Sequence, residues 1–346
     1  MVAAAAANVQ QLLARTEMMT DDWCEADAAL ETFRKKVEGL VSDDLHAAAS
    51  VAAYQPTIFH YTDVKGALGI LKSGTLWFTE RAHLNDPVEI RYGLDTAHEL
   101  FQIAANRRGA AIPKDIALHL KGEHNFGLAT YGFWMFSCSL YGDDLVQWRN
   151  YADDGRGLCL GFAVQSFDMT ELVKLMPIAP TSLRFPVSYD ENSIRNRMQV
   201  YVDLSLDLLE KANLAARDSY YKPYGRALLY ERDCFRILNN GFYANSLLHK
   251  HVAYSHEQEY RLLVSGLRDT ISRCDYHRLR ERRGEIVGYL DLPIPRWKQQ
   301  GMLTHIRLGP AAPDTLKDQI IMALVTLGIP MPARIDQSNI PFRPTR

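Results

Sequence analysis

Apolar and polar positions follow two different periods along this chain, and the change between them divides it into helical and strand-containing parts. Residues 1–50 contain no proline and one glycine, and their apolar residues recur mostly at three-to-four spacing, which predicts amphipathic helices. A helical pattern returns between about residues 190 and 251. We interpret residues 1–50 as a helical appendage that packs against the body or forms oligomers. Residues 54–346 are interpreted as one α+β domain with a helical insertion at about 190–251.

The predicted strands of this domain are short apolar runs bounded by turn residues. They cover residues 57–62, 75–79, 131–139, 158–163, 286–292 and 305–308, with an extended segment at 336–343. Asp63 and Gly74 have the positions of an N-cap and a C′ glycine, so the first two strands enclose one short helix. Asp143 or Asp144 caps a second short helix after the third strand.

One predicted strand carries charge where a buried strand is otherwise expected. Residues 254–264 read YSHEQEYRLLV, and from Glu257 onward the side chains alternate. Glu257, Glu259 and Arg261 fall on one face, and the other face, which begins at Tyr260, is apolar enough to be core. Two interpretations stay open: a catalytic acid and base held on a rigid strand, or a half-exposed strand with cross-strand charge pairs.

Three stretches show no strand pattern. Residues 106–127 lack a clear period and residues 164–186 contain several prolines, so both are expected to be connecting segments. Residues 268–285 are rich in arginine and are expected to be a loop or helix. Such a charge run is either a solvated face or a local contact surface for nucleic acid.

Composition and charge describe an ordinary globular protein. The chain has 346 residues, of which 47% are hydrophobic, and a net charge of −2 that gives no global attraction to nucleic acid or membrane. Five dispersed cysteines without a CxxC pair favour reduced thiols and a cytoplasmic location. We expect neither a transmembrane helix nor a signal peptide, although secretion by a route that reads no such signal stays open.

Polar and aromatic residues gather in clusters that are far apart in sequence but lie on, or soon after, predicted strands. Strands of one sheet can bring such clusters together around a cleft that stacks an aromatic ring and hydrogen-bonds a ribose. The clusters are His60-Tyr61-Thr62, Asn85-Asp86-Pro87 with Glu89, Ser137 and Ser139 with Trp148 and Tyr151, and Glu259-Tyr260-Arg261.

The sequences of these clusters resemble those of a bacterial family described as a domain of unknown function. The motifs are FHYT, GTLWFT, LNDPxE, FSCSLYGDDLxQWRNYADxGRGLCLGF and HEQEYRLL, and the resemblance spans roughly residues 54–343. A more distant resemblance connects the chain to the ADP-ribosyltransferase superfamily. Its opening, HYTDVKGALGILKSGTLWF, is similar to that of DarT-type nucleic-acid ADP-ribosyltransferases.

The distant resemblance implies a mixed, mostly antiparallel, split β core of ADP-ribosyltransferase type that binds NAD as a substrate. It implies that Glu259 and His60 are catalytic, with His60 on the ribose or carboxamide, and that one aromatic ring stacks the nicotinamide. The acceptor would be a nucleic acid or a protein, or water, as in a bacterial toxin, effector or phage-defence protein. The residues expected to bind NAD are Tyr61, Thr62, Trp77, Asn85, Glu89, Ser139, Trp148, Tyr151 and Arg261.

Two other functions fit the same sequence. His249, His251 and His256 lie close to Glu257 and Glu259, and an HxH pair on one strand face can bind a catalytic metal in a hydrolase or nuclease. The fold could also be a non-catalytic nucleotide-binding or interaction module, since buried His and Glu are tolerated when paired.

Overall fold

The computed structural model of the protein describes residues 27–44, 47, 56–83, 89–108, 131–168, 171, 176, 181–216, 226–282 and 284–344. The chain forms two compact units, one from residues 1–44, 90–127 and 191–246, and the other from residues 45–89, 128–190 and 247–346. The predicted boundary between appendage and domain stays a prediction, because residues 48–55 lie outside the described part of the chain.

The first unit is helical where it is described. Its helices are α1 (residues 27–44), α3 (Glu89–Arg108, from residue 90), α5 (Glu191–Ala216) and most of α6 (Arg226–Leu248). Apolar side chains from each helix are buried, among them Phe33, Leu94, Met198 and Phe242. Arg197 forms an ion pair with Asp44, and Arg108 forms one with Asp207 at 2.5 Å. The predicted helical pattern of residues 191–251 is therefore confirmed as two helices.

The second unit is built on one mixed sheet. The strands are β1 (Thr57–Thr62), β2 (Thr75–Glu80), β3 (Tyr131–Ser139), β4 (Leu158–Ala163), β5 (Thr181–Pro186), β6 (Glu259–Leu267), β7 (His277–Arg282), β8 (Glu285–Pro293), β9 (Leu303–Leu308) and β10 (Arg334–Gln337). In the described residues they follow the order β10-β9-β4-β1-β3-β2-β8-β7, with β6 beside β3 and β5 beside β6. The named pairs are antiparallel except β9 with β10, so the prediction of a mixed, mostly antiparallel sheet is confirmed. The helices of this unit are α2 (Val64–Ser73), α4 (Leu145–Tyr151), α7 (Arg268–Ile271) and α8 (Leu316–Leu327).

Local capping fixes where the short helices begin and end. Asp63 accepts a hydrogen bond from the Gly66 amide at 2.6 Å and starts α2, which ends at Gly74 with φ of +65°. Of the two predicted caps for α4, Asp144 takes the position and accepts from the Gln147 amide at 2.9 Å.

Two strands lie where connecting segments were expected. β5 falls within residues 164–186 and β7 within residues 268–285, so both expectations are wrong at these positions. β7 reads HRLRER and has one aliphatic residue, Leu279, which is 65% exposed. Because neither of its faces is buried, the strand has no alternating apolar pattern to reveal it.

The two faces of the sheet have different characters near its centre. Trp134, Phe136 and Cys138 of β3 join the main core, to which α2 and α8 also contribute. The side chains that alternate with them, including Ser137 and Ser139, face the other way. On β6 the same alternation sends Tyr260 into the core and Glu259 and Arg261 to the opposite face, as predicted for that strand.

The sheet is open on one side of β3. Along that edge, β1 pairs with Ser139 and β2 pairs with Met135 and Trp134. Between these contacts, residues 136–138 pair only with β6 among the strands that the structure describes. The sheet therefore splits between β1 and β2.

None of the helices in the described ranges is long and apolar enough to cross a membrane.

Candidate functional site

Glu259 is the centre of a buried ionic network at the start of β6. Its Oε1 accepts hydrogen bonds from Ser137 Oγ at 2.7 Å and from Arg261 Nε at 3.0 Å. Its Oε2 accepts from Arg261 Nη2 at 2.9 Å and from Lys250 Nζ at 3.2 Å. Four donors thus hold one carboxylate whose residue is only 6% exposed. A buried charge is tolerated only with such partners, so these hydrogen bonds hold the Glu259 carboxylate in one position.

Lys250 joins a second carboxylate to the network. Its Nζ donates to Glu257 Oε2 at 2.6 Å, and Tyr151 Oη donates to Glu257 Oε1 at 2.9 Å. Arg261 also donates from Nη1 to the Leu247 carbonyl at 2.7 Å. The two carboxylates, Glu257 and Glu259, are therefore matched by the cations Lys250 and Arg261, and the four charges of this group sum to zero.

Burial and neighbouring charges shift the pKa values of Glu259 and Lys250 in opposite directions. Burial raises the pKa of Glu259, while the charge of Lys250 and the Ser137 hydrogen bond oppose that rise. Burial lowers the pKa of Lys250, but the carboxylates of Glu259 and Glu257 more than offset this, and the net shift is upward. Lys250 is therefore a fixed cation at neutral pH, and the net shift of the Glu259 pKa is upward.

The network reaches solvent at Ser137. This residue is exposed, although its neighbours on β3 are buried. Half-buried tyrosines surround the network: Tyr151 bonds Glu257, Tyr189 Oη accepts from the Glu259 amide at 2.9 Å, and the ring of Tyr254 lies 4.8 Å from Lys250 Nζ. A ligand that displaces the Ser137 hydroxyl would meet the Glu259 carboxylate directly.

His60 lies in the opening of the sheet beside β3. Its Nδ1 is 3.0 Å from the Ser137 carbonyl oxygen, and its ring packs on Phe136 with centroids 4.3 Å apart. Burial lowers the pKa of His60 to about 4, against the opposing effect of the Ser137 hydrogen bond. The imidazole is therefore neutral at pH 7. Since a carbonyl only accepts, the proton is on Nδ1 and Nε2 is a hydrogen-bond acceptor.

His60 and Glu259 approach Ser137 from opposite faces of the sheet. His60 is paired in register with Leu160 and lies on the core face of β1. Glu259 is paired with Ser139 and lies on the other face. The imidazole contacts the Ser137 carbonyl and the carboxylate contacts the Ser137 hydroxyl, so one residue separates the two predicted catalytic groups.

The three aromatic residues proposed to stack a nicotinamide have different surroundings. Trp148 is fully buried and donates from Nε1 to Asp143 Oδ1 at 2.8 Å. Trp77 is on β2, where its ring packs on Tyr289 with centroids 4.8 Å apart and beneath the Arg280 guanidinium. Tyr151 is the member of this set that contacts the ionic network, through its hydrogen bond to Glu257.

The other predicted binding residues are divided between the network and its supports. Ser139 is buried and donates from Oγ to the Glu257 carbonyl at 2.9 Å. Tyr61 packs edge-on against Trp148, donates to the Tyr141 carbonyl and accepts from the Asp144 amide, so it anchors the start of α4. Thr62 ends β1. Asn85 and the side chain of Glu89 lie outside the described residues.

Sequence alternation did not account for every residue of the network. Glu257 is not on the strand, contrary to expectation, because it ends a 3-10 turn and Gln258 has φ of +42°. Lys250 and Tyr189 were not among the predicted site residues. Lys250 stands between two histidines outside any periodic element, and Tyr189 follows the unpredicted strand β5, so neither had a pattern to reveal it.

The histidines of the metal hypothesis are not gathered in one place. His249 is buried and pairs as an isolated bridge with Ser188, whereas His251 is exposed and its Nδ1 accepts from the Ala253 amide at 3.1 Å. His256 is exposed as well. Within the described ranges, no group of three or more His, Cys, Asp or Glu residues is arranged to hold a metal ion.

A second ionic group holds α4 in place. Arg307 on β9 donates to Asp336 through Nε at 2.9 Å and through Nη2 at 3.1 Å, and its Nη1 lies 3.3 Å from Asp143. Asp143 in turn accepts from Trp148. This chain of contacts fixes the helix that carries Tyr151, so Arg307 supports the site without contacting it.

Comparison with known families agrees with the first of the two resemblances. Residues 147–262 match the model of a family described as a protein of unknown function, DUF2971. The expected resemblance to a family of unknown function is therefore confirmed over this segment, which includes α4, β4, Lys250, Glu257 and Glu259. The comparisons with curated proteins and with solved structures gave no match.

Proposed function

We propose that the protein is an ADP-ribosyltransferase-like enzyme that cleaves NAD at Glu259 and transfers ADP-ribose to an acceptor or to water. The observation that carries the proposal is the buried Glu259 carboxylate, which accepts a hydrogen bond at 2.7 Å from the hydroxyl of Ser137, an exposed residue. The split of the sheet between β1 and β2, with His60 in the opening, agrees with the split core that the distant resemblance implies.

The chemistry requires a fixed negative charge beside the ribose. The bond between ribose C1′ and the nicotinamide nitrogen breaks with its electron pair going to nicotinamide, which leaves positive charge on the ribose. Glu259 accepts a hydrogen bond from a ribose hydroxyl in place of Ser137 and stabilises that charge. The acceptor oxygen then bonds to C1′ and loses its proton, for which Glu259 is the nearby base. The raised pKa of Glu259 suits it to that second role.

The neighbouring groups have distinct roles in this scheme. Arg261 and Lys250 hold the carboxylate in one orientation, which is the main contribution of a buried supporting shell. Tyr151 and Tyr254 offer half-buried rings beside the network for the nicotinamide or adenine. His60, on the opposite face of the sheet from Glu259, supports the Ser137 main chain through its Nδ1 contact with the Ser137 carbonyl.

The variant Glu259→Gln tests this assignment. We expect it to retain the fold and to lose NAD-dependent nicotinamide release by at least about 100-fold, as for removal of a main electrostatic group. Glu257→Gln is the matched control. It also removes one negative charge from the network, but it leaves the Glu259 carboxylate, which Ser137 contacts, in place. If Glu259→Gln turns over NAD like the wild type, or if both variants lose activity equally at matched stability, the assignment fails.

One observation favours a second candidate function, a non-catalytic nucleotide-binding module. Four donors from the protein already contact the Glu259 carboxylate, as in a network that only locks a core. A thermal-shift measurement with NAD and ADP-ribose, combined with nicotinamide detection, distinguishes the two. A raised unfolding temperature without turnover favours the binding module.

A further inference from the structure

We propose that the β7–β8 edge of the sheet is a binding surface for single-stranded nucleic acid. Arg278, Arg280 and Arg282 alternate along β7, so their side chains lie on one face. The register pairs Arg278 with Tyr289 and Tyr289 with Thr79, which places Tyr289 on that same face. Trp77, two residues before Thr79 on β2, lies there too.

The aromatic and basic side chains of this surface are in direct contact. The Arg280 guanidinium carbon is 5.1 Å from the Trp77 ring centroid and 5.4 Å from that of Tyr289. Arg280 also donates from Nη2 to Thr79 Oγ1 at 3.1 Å, which orients its plane. Trp77 is 45% exposed, so its side chain is accessible to a ligand from solvent.

The positive charge of this surface is only partly neutralised by the protein. Among the residues that the structure describes, neither Arg278 nor Arg280 forms an ion pair with a carboxylate. Burial lowers the pKa of Arg280, and the nearby charge of Arg282 lowers it further. Two carboxylates of β8 lie on this same face. Glu285 is paired in register with Arg282, and Asp291 is paired in register with Trp77. A bound phosphate would relieve the repulsion between neighbouring arginines.

The exposed tryptophan is what favours single-stranded nucleic acid over an acidic protein. Surfaces that bind single strands combine guanidinium groups for the phosphates with aromatic rings on which bases stack. Trp77 and Arg280 supply both within one contact. In a duplex the bases are already stacked on each other, so Trp77 would have no partner.

The register also relates this surface to the candidate site. Thr79 is paired with Met135, which precedes Ser137 by two residues, so the arginines and the Ser137 hydroxyl lie on the same face of one sheet. Three strand spacings separate β7 from β3 in the sheet order, or roughly 14 Å. If the proposed function holds, a bound strand would reach the acceptor position. The binding surface itself does not depend on that function.

Fluorescence anisotropy of a fluorescein-labelled single-stranded DNA of about 12 nucleotides tests the surface without NAD, at several salt concentrations. We expect Trp77→Ala and Arg278→Ala each to weaken binding by about fivefold or more, and Arg278→Ala to reduce the salt slope by about one. Arg334→Ala is the matched control, because it removes one exposed arginine from β10 at the opposite edge of the sheet. It should change affinity by less than about twofold.

Several results would overturn the proposal. They are a wild type that does not bind the oligonucleotide at low salt, variants at Trp77 and Arg278 that bind like the wild type, and a wild type that binds duplex or polyglutamate at least as tightly. Circular dichroism checks the fold of each variant, and Arg278 is exposed enough that its loss leaves the sheet intact. Because NAD is absent, these results are independent of whether the protein cleaves it.

Discussion

Arg261 and Glu259 lie two residues apart on β6 and form a bidentate ion pair, with Nε 3.0 Å from Oε1 and Nη2 2.9 Å from Oε2. Arg261 is fully buried. Removing it would leave the Glu259 carboxylate buried with half of its hydrogen bonds. The pair therefore holds the proposed catalytic group in place and ties its position to the stability of the sheet.

The first prediction follows from this pair. Arg261→Met should lower the free energy of unfolding by about 3–5 kcal/mol, because it leaves an uncompensated buried charge. Urea denaturation followed by circular dichroism measures this loss. Adding Glu259→Gln to the same chain should recover part of it, since the charge that lacked a partner is then removed. A loss of under about 1 kcal/mol in the single variant would show that the pair is not stabilising.

The second prediction concerns pH and His60. The unfolded chain binds a proton at this position below about pH 6.5, whereas the folded imidazole, with its pKa lowered to about 4, does not. Stability should therefore be complete above pH 6.5 and fall as the pH drops from 6.5 towards 4, by about 3 kcal/mol from this group.

Urea denaturation at pH 7, 6, 5 and 4 measures the effect for wild type and for His60→Asn, whose amide can still donate to the Ser137 carbonyl. The difference between the two should shrink as the pH falls, because the variant has no imidazole to protonate. His256→Asn, at an exposed position, is the control and should follow the wild type. Parallel pH profiles for wild type and His60→Asn would contradict the burial of the ring.

The third prediction separates the aromatic candidates. Tyr151→Ala should raise the KM for NAD several-fold, because Tyr151 contacts the network, with a modest loss of stability. Trp148→Phe should leave that KM nearly unchanged but lower stability by about 1–3 kcal/mol, because a buried indole loses its bond to Asp143 and part of its packing. If Trp148→Phe raised the KM for NAD and Tyr151→Ala left it unchanged, Trp148 would be the residue that stacks the nicotinamide.

The fourth prediction uses two glycines in different surroundings. A Cβ at Gly157 would come within 2.3 Å of the Thr62 carbonyl oxygen, so Gly157→Ala should destabilise the junction of α4 and β4 by about 1–3 kcal/mol. At Gly69, on the exposed side of α2, a Cβ meets nothing within 4 Å. Gly69→Ala should therefore stabilise the protein by about 0.5–1 kcal/mol. Equal effects of the two substitutions on the free energy of unfolding would contradict the close approach of Gly157 to the Thr62 carbonyl oxygen.

Much of the fold near the site was predictable because its elements have strong local patterns. β1, β3 and β4 are apolar runs with clear turn signals, and their predicted bounds agree with the structure. β5 and β7 were missed because one follows a proline-containing stretch and the other is charged on both faces. Their strand character comes from pairing with β6 and β8, which no local pattern encodes.

The site was predictable only in part for a related reason. The alternation on β6 correctly placed Glu259 beside Arg261. It could not show that Lys250, from the turn before the strand, would reach both carboxylates. Nor could it show which face His60 takes, because both faces of β1 are apolar enough to be core. Contacts of this kind depend on register between distant strands.

The central claim is that the ionic network around Glu259 acts on NAD. Its most direct test is incubation of the purified wild-type protein with NAD, with and without single-stranded nucleic acid and protein acceptors, followed by mass analysis of the products. We predict release of nicotinamide together with free ADP-ribose or an ADP-ribose adduct on the acceptor. The claim would be contradicted if the wild type released no nicotinamide and its unfolding temperature did not rise with NAD.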